Sequence, residues 1–259
     1  MSLITAQWMS TPRSWQRALV TDINVDGPPT DAQLRHIRRH LRRQTRLNIG
    51  SVFWRPEGGL APLTLMPALE TLWLTVNTTD NLDLTPLTQL PALQELWIRV
   101  YGDQHHTPLT LDVIGSIRDL RSLQLSEVPL HALAPLTQLT QLRELRLSYR
   151  ASLGGLLASA ADLSALRPLR KLKHLSISGD LGSLQVTLDD VAQLKQLVDL
   201  HLDDTELHPI YTAAQLGRLR QLRYLDLSGT HLCTPSGLTD LPLETLHLPH
   251  RLNTEPDPD

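Results

Sequence analysis

Residues 84–100 read LTPLTQLPALQELWIRV, and residues 93–98 of this stretch are one copy of a phrase that recurs along most of the chain. Apolar residues take its first, fourth and sixth positions, written L-x-x-L-x-L, and further leucines precede it at intervals of three. Steps of 21 to 30 residues separate the first residues of its copies, which are Leu69, Leu93, Leu120, Leu142, Leu172, Leu197, Leu222 and Leu243. Such self-similarity indicates stacked structural repeats, in which each repeat closes the core of its neighbours.

The repeat extends toward the N-terminus. Two further matches to the phrase lie at residues 20–25 and 44–49, so we expect about ten coils. Between them, Leu34, Ile37 and Leu41 recur at helical spacing, which predicts a helix that ends near residue 43. The remaining segments between strands place leucines three residues apart, a spacing that favours 3₁₀ turns or short helices. Longer Ala-, Leu- and Asp-containing stretches predict helices at 151–169 and 187–194.

The combined phrase, Pro-Leu-x-x-Leu-x-x-Leu-x-x-Leu-x-Leu, resembles the short-repeat class of leucine-rich-repeat proteins, which includes phosphatase-regulator-like proteins and bacterial internalins. The resemblance covers roughly residues 60–248. It implies an α/β solenoid: a leucine-rich-repeat horseshoe with a parallel concave sheet and short helices or 3₁₀ turns on its convex side. The family usually has Asn eight residues after the first Leu. Here only Asn77, Thr205 and Thr230 offer a side chain that can bond the buried loop backbone, so we expect irregular turns elsewhere.

Composition limits the class of protein. A repeat that spans most of the chain predicts one solenoid over residues 1–250, with an N-terminal cap and first helix in 1–43 and a disordered acidic tail at 251–259. The chain has one cysteine, which excludes an internal disulfide, and its first twenty residues lack the apolar core of a secretory signal. No apolar run approaches the ~20 residues that span a bilayer. These features predict a soluble, cytoplasmic protein, and we favour a monomer.

Strand alternation predicts which side chains line the concave face. If the leucines point inward, the residues between them form three rows across the sheet. From these rows we select the candidate partner-binding residues, which are Trp73, Glu95, Trp97, Arg99, Gln124, Glu144, Arg146, His174, Asp199, His201, Asp203, Tyr224, Asp226 and His247.

Two zones of this face stand out. Trp73 and Trp97 are predicted neighbours, with Arg99 beside them, and Trp and Arg are enriched at binding hot spots. The alternative is that an N-terminal segment carrying Trp8 and Trp15 covers the pair. At the other end, aspartates, histidines and Tyr224 form an acidic zone that attracts a basic partner, unless these aspartates are ordinary solvated strand residues.

The sequence offers little for other chemistry. His36 and His40 have i, i+4 spacing but lack the Glu of a metalloprotease motif, and one cysteine supplies no structural zinc site, so we predict no metal and no cofactor. No activated Ser or Cys completes a triad with His201, so we predict no enzyme. Arginines concentrated between Arg35 and Arg46 could grip phosphates, but the formal net charge of −3 disfavours a nucleic-acid partner.

We therefore expect a non-catalytic module that binds one folded protein partner on its concave face. By analogy of fold, this resembles inhibitors of the ribonuclease-inhibitor kind and bacterial immunity proteins. Two alternatives remain: a scaffold or effector that tethers several proteins through both of its faces, and a nucleic-acid-associated regulator that acts through the arginine-rich helix.

Overall fold

The structure is a computed structural model that describes residues 31–49, 59–76, 82–100, 109–128, 133–148, 163–178, 188–202, 210–228, 230, 232–234 and 236–249. Its main element is an open sheet of nine parallel strands in the order β1-β2-β3-β4-β5-β6-β7-β9-β11. These strands are β1 (Arg46–Ile49), β2 (Thr71–Val76), β3 (Glu95–Val100), β4 (Ser122–Ser126), β5 (Glu144–Ser148), β6 (His174–Ser178), β7 (Asp199–His201), β9 (Tyr224–Asp226) and β11 (Thr245–His247). One strand per repeat and sequential pairing confirm the predicted solenoid.

The register of the sheet follows the leucine phrase. Leu72 lies opposite Leu96, and Leu96 lies opposite Leu123, so the fourth position of each copy forms one continuous row. Backbone bonds repeat in the same way: the Glu70 carbonyl accepts the N–H groups of Gln94 and Glu95, and an equivalent carbonyl does so in each coil. Because the coils repeat one phrase, a single register serves the whole sheet, although the strands shorten from six residues in β2 and β3 to three in β7, β9 and β11.

The convex side consists mainly of 3₁₀ turns, at Ala61–Leu65, Thr85–Gln89, Ala134–Gln138, Leu163–Leu166 and Ala214–Arg218. The Leu87 N–H donates to the Leu84 carbonyl, and the Leu87 carbonyl accepts from Leu90. A 3₁₀ helix has three residues per turn, so leucines three apart share one face and all point into the core. The spacing that precedes each strand therefore sets both the turn type and its buried side.

Three α-helices lie in the described residues: α1 (Asp31–Arg43), α2 (Asp112–Gly115) and α3 (Leu188–Val191). Helix α1 matches the predicted first helix, with Ile37 and Leu41 buried against the solenoid. We expected longer helices at 187–194 and 151–169, and this prediction was wrong for the residues that the structure describes. Helix α3 is only one turn long, and residues 163–166 form a 3₁₀ turn. The three-residue leucine spacing outweighs helical composition there.

The sequence analysis missed a second sheet. It pairs two short parallel strands, β8 (Ile210–Thr212) and β10 (Leu232–Thr234). A strand of three residues carries too little alternation to be recognised from its pattern. The buried Thr230 behaves as expected, because its Oγ1 donates to the Leu227 carbonyl at 2.7 Å.

Several expectations fall outside the described residues. They concern the repeat at 20–25, the tail at 251–259, the covering segment with Trp8 and Trp15, and the ladder positions Asn77 and Thr205. Within the described ranges, no helix is long and apolar enough to cross a membrane.

Candidate partner-binding face

The candidate site is the face of the nine-stranded sheet that points away from the 3₁₀ turns, here called the concave face. The strand register confirms the first two predicted rows from β1 to β11 and the third row from Thr75 to Ser178. In the middle row, Trp73 lies opposite Trp97, Trp97 opposite Gln124, and Gln124 opposite Arg146. The leucines between these residues are buried on the other side of the sheet. Alternation in each strand therefore separates a leucine core from a polar and aromatic surface.

An aromatic cluster of Arg46, Trp73 and Trp97 occupies the N-terminal end of this face. The two indoles meet edge to face, with ring centroids 5.6 Å apart and planes at 86°. The guanidinium carbon of Arg46 lies 5.4 Å from the centroid of Trp73, within the range of a cation–π contact. Trp97 is 38% exposed, one of two large apolar side chains that reach this level in the described residues. The cluster is thus held together within the protein and still presents an indole to solvent.

The two tryptophans differ in surroundings. Trp73 is only half-buried at its ring, yet its Nε1 is buried and has no hydrogen-bond partner among the described residues. It lies between Trp97 and Asn48 in its row, with Arg46 over its ring. Trp73 therefore packs against Trp97 and Arg46, and Trp97 is the more exposed indole of the two. The sequence predicted that the two tryptophans are neighbours, but not which of them is more exposed.

The middle of the face is cross-linked by polar side chains. The Thr71 hydroxyl donates to Glu95 at 3.1 Å, and the Ser122 hydroxyl donates to Glu144 at 3.1 Å. Glu144 also accepts from Arg146 Nε at 2.6 Å. Both hydroxyl bonds run between neighbouring coils, so these charged groups are fixed in position before any partner arrives.

Two more candidates complete this middle zone. Gln124 donates to the Ser126 hydroxyl at 3.3 Å, and Ser126 is buried. Arg99 lies between Thr75 and Ser126 in the third row and is exposed. It follows Trp97 by two residues in β3 and therefore lies on the same face of the sheet.

A histidine–aspartate cluster forms the C-terminal end of the face, from His174, Asp199, His201, Tyr224, Asp226 and His247. His174 Nδ1 lies 2.5 Å from an Asp199 carboxylate oxygen. The ring of His201 stacks on Tyr224 at 4.5 Å between centroids, and Tyr224 lies 5.7 Å from the ring of His247. His201 Nδ1 is 4.0 Å from an Asp226 oxygen. Asp203, predicted for the same zone, lies outside the described residues.

Asp226 is the carboxylate with the most perturbed surroundings on this face. Partial burial raises its pKa, but hydrogen bonds from Ser228 and the nearby His247 and His201 outweigh burial and hold the pKa below its ordinary value. The Ser228 N–H donates to Asp226 Oδ1 at 2.9 Å. The carboxylate is therefore held ionised by the turn that follows its own strand. Each described aspartate of this cluster has a histidine nearby, so the zone is less purely acidic than its sequence indicates.

Arg46 is the residue that sequence reasoning did not select. The strand pattern placed Arg46 in the first row of the concave face, but we counted it with the arginines of the preceding helix and did not select it as a partner-binding residue. The structure places it in β1 with its guanidinium over Trp73. The signal was present in the alternation of β1, where the exposed Arg46 and Asn48 alternate with the buried Leu47 and Ile49. No group of three or more potential metal ligands occurs among the described residues.

Comparison with known proteins agrees with this geometry. The chain is similar to internalin C2 of Listeria monocytogenes, with 20% identity, a TM-score of 0.55, and coverage of 89% of this chain and 90% of the internalin. The protein is a leucine-rich-repeat solenoid. It is also similar to a leucine-rich-repeat protein of Leptospira interrogans, with 20% identity over 86% of this chain and a TM-score of 0.56, and it spans 58% of that protein's length.

These likenesses confirm the expected resemblance to internalin-type repeats, and at 20% identity they establish the fold alone. No protein-family model matches the sequence, and none of the curated proteins matches it significantly. What the protein binds therefore has to be argued from its own concave face.

Proposed function

We propose that this solenoid is a non-catalytic protein–protein interaction module that binds one folded protein partner on its concave face. The observation that carries the proposal is the aromatic cluster, in which the partly exposed indole of Trp97 packs edge to face against Trp73, and Arg46 lies over the ring of Trp73. Trp and Arg are the residue types most enriched at binding hot spots, and such anchors lie in patches that exclude water when the partner docks. An exposed indole on a rigid sheet fits that role.

The shape and polarity of the face support a folded partner. Nine strands at ~4.8 Å spacing extend about 40 Å, enough for a protein interface of ordinary size. Side chains of the same face already hold Glu95, Glu144 and Asp199. Binding a partner therefore removes little further conformational freedom from these three carboxylates. Preorganised contacts reduce the entropy that association costs.

An inhibitor or bacterial immunity protein, acting in the cytoplasm as a monomer, is the form of this function that we favour. Such a protein covers the working surface of one partner, which suits a single continuous face with anchors at one end and hydrogen-bonding groups at the other. The proposal rests on analogy of fold together with that layout. A scaffold that tethers several proteins would instead show binding-sensitive positions on the convex turns as well.

The test begins by isolating the partner, with the full chain as bait and mass spectrometry as the readout, and then measures its affinity for variants. We expect Trp97→Ala to weaken binding at least tenfold, and the double change with Trp73→Ala to weaken it further, because both remove packed anchor surface. Leu246→Ala is the matched control, since Leu246 is 41% exposed but lies on β11 at the far edge of the sheet.

Two results contradict the proposal. Unchanged affinity in the tryptophan double variant would remove the aromatic cluster from the interface. Equal losses from Leu246→Ala and Trp97→Ala would show that general destabilisation, and not a hot spot, causes the effect. A scan of all exposed positions separates one concave interface from a scaffold with patches on both sides.

A further inference from the structure

Helix α1 presents a second surface that the concave face does not use. The side chains of Arg35, Arg39, Arg42 and Arg43 are exposed, and we call this set the arginine strip. At about 100° of rotation per residue, the four positions fall within an arc of about 100° on one side of the helix. Ile37 and Leu41, which are buried, lie on the opposite side. The helix is thus fixed by its apolar stripe with its arginines turned directly outward.

Charge is strongly segregated between this helix and the rest of the chain. Helix α1 contains five arginines and one aspartate, a formal charge of +4. Since the whole chain carries −3, the residues outside the helix carry −7. Within the described residues, no carboxylate forms an ion pair with any member of the arginine strip. The strip therefore creates a local positive electrostatic potential on a protein whose remaining charge is negative.

We propose that the arginine strip binds the phosphodiester backbone of a nucleic acid. A guanidinium donates two parallel hydrogen bonds to a phosphate, which makes arginine well suited to this ligand. The strip runs from Arg35 to Arg43, nine residues or about 12 Å of helix axis, so its arginines form a line along the helix. A line of cations matches a linear polyanion. Contacts of this type position a protein on the strand and carry no sequence information, so binding is independent of base sequence.

An anionic membrane fits the strip less well. The apolar stripe of α1 is buried in the solenoid, so the helix has nothing to insert among lipid chains. A nucleic-acid strand, by contrast, needs only the exposed arginines, which lie along one side of the helix.

The position of Arg46 distinguishes the arginine strip from the aromatic cluster of the concave face. Although it follows the helix by only three residues, its guanidinium lies over Trp73. The arginine strip and the aromatic cluster therefore point in different directions and bind independently. Failure of one proposal leaves the other intact.

The experiment measures binding of the full chain to a fluorescently labelled 20-base-pair DNA duplex by anisotropy. Four phosphate contacts predict a slope of about −3 to −4 in log affinity against log salt, or roughly a 100-fold loss between 50 and 200 mM. Replacing the strip with glutamine (Arg35→Gln, Arg39→Gln, Arg42→Gln, Arg43→Gln) should reduce affinity at least tenfold at 50 mM salt. Glutamine keeps a similar helix propensity, and circular dichroism checks that α1 is retained.

The control variant changes the same number of exposed arginines on four other coils, Arg118→Gln, Arg143→Gln, Arg170→Gln and Arg218→Gln. It alters total charge equally, so we expect its affinity to stay within about threefold of the wild type. Equal losses in both variants, or no binding at 20 mM salt, would overturn the proposal. It would also fall if phosphatidylserine vesicles or a polyglutamate peptide displaced the duplex at equal charge concentration, since the strip would then serve a membrane or an acidic protein.

Discussion

Individual side chains on the concave face are held by partners in neighbouring coils. Thr71 holds Glu95, Ser122 holds Glu144, and His174 lies against Asp199, each across one strand spacing. Parallel pairing places residues of the same row side by side, so a donor in one coil meets an acceptor in the next. These side chains of the concave face are therefore held in place by the sheet itself.

Asp226 gives a pH prediction at this scale. Because its pKa is lowered in the folded protein, its ionised form stabilises the fold above the ordinary value near 3.8, and this contribution is lost as pH falls through the lowered pKa. Asp226→Asn should reduce the free energy of unfolding by about 1 kcal/mol near pH 7, the typical net contribution of one hydrogen bond. Urea unfolding from pH 7 to pH 3 should show the difference shrink below about pH 4.

Asp119→Asn, which changes an exposed aspartate between α2 and β4, is the control and should leave stability unchanged throughout this range. A constant difference between wild type and Asp226→Asn at every pH would show that packing, and not ionisation, is responsible.

At the scale of the element, helix α2 packs closely against the 3₁₀ turn of the following coil. A Cβ placed on Gly115, the last residue of α2, would lie 2.4 Å from the carbonyl oxygen of Pro135 in the following coil. No side chain fits at that distance. Glycine here is required by the contact between coils, since its backbone has no positive φ.

Gly115→Ala should therefore destabilise the protein by roughly 1 to 3 kcal/mol, because α2 and the next 3₁₀ turn must separate. Gly59→Ala is the matched comparison: Gly59 has a φ of +68° but open space around it, so alanine there costs only backbone strain of about 1 kcal/mol. Thermal or urea unfolding measures both. A Gly115→Ala variant as stable as wild type would show that the coils adjust without loss.

At the scale of the whole molecule, the leucine rows make one continuous core. Leu145 in β5 is buried between Leu123 and Leu175 of the adjacent coils. Leu246 holds the equivalent position in β11, at the edge of the sheet, and is 41% exposed. The same residue in the same phrase is thus fully covered in the middle of the solenoid and partly uncovered at its end.

This difference predicts unequal costs for an identical change. Leu145→Ala should lower the free energy of unfolding by about 2 to 5 kcal/mol, since it opens a cavity between two coils. Leu246→Ala should cost less than about 1 kcal/mol, because much of its surface already faces solvent. Equilibrium unfolding in urea compares them. Similar losses would mean that the edge coil packs as tightly as the centre.

Strand positions, sheet register and the three concave rows could be predicted from the sequence because they depend on local, repeated patterns. Alternation decides which side of a strand faces the core, and repetition decides which residue lies opposite which. The adjacency of Trp73 and Trp97 followed from these two facts alone. The three-residue leucine spacing likewise indicated 3₁₀ turns, although composition misled us at residues 187–194.

Other features depended on contacts between side chains of different coils, which no local pattern encodes. Whether Arg46 lies over Trp73 or points with the helix arginines, and which of two adjacent indoles is more exposed, is decided by packing across strands. The sequence alone determined a stack of coils with leucine rows inside and polar side chains on one face. The repeat period and the alternation within each strand are both written in the order of the residues. Only the tertiary structure decided which groups on that face are paired and which remain available, because pairing requires the coils to be stacked first.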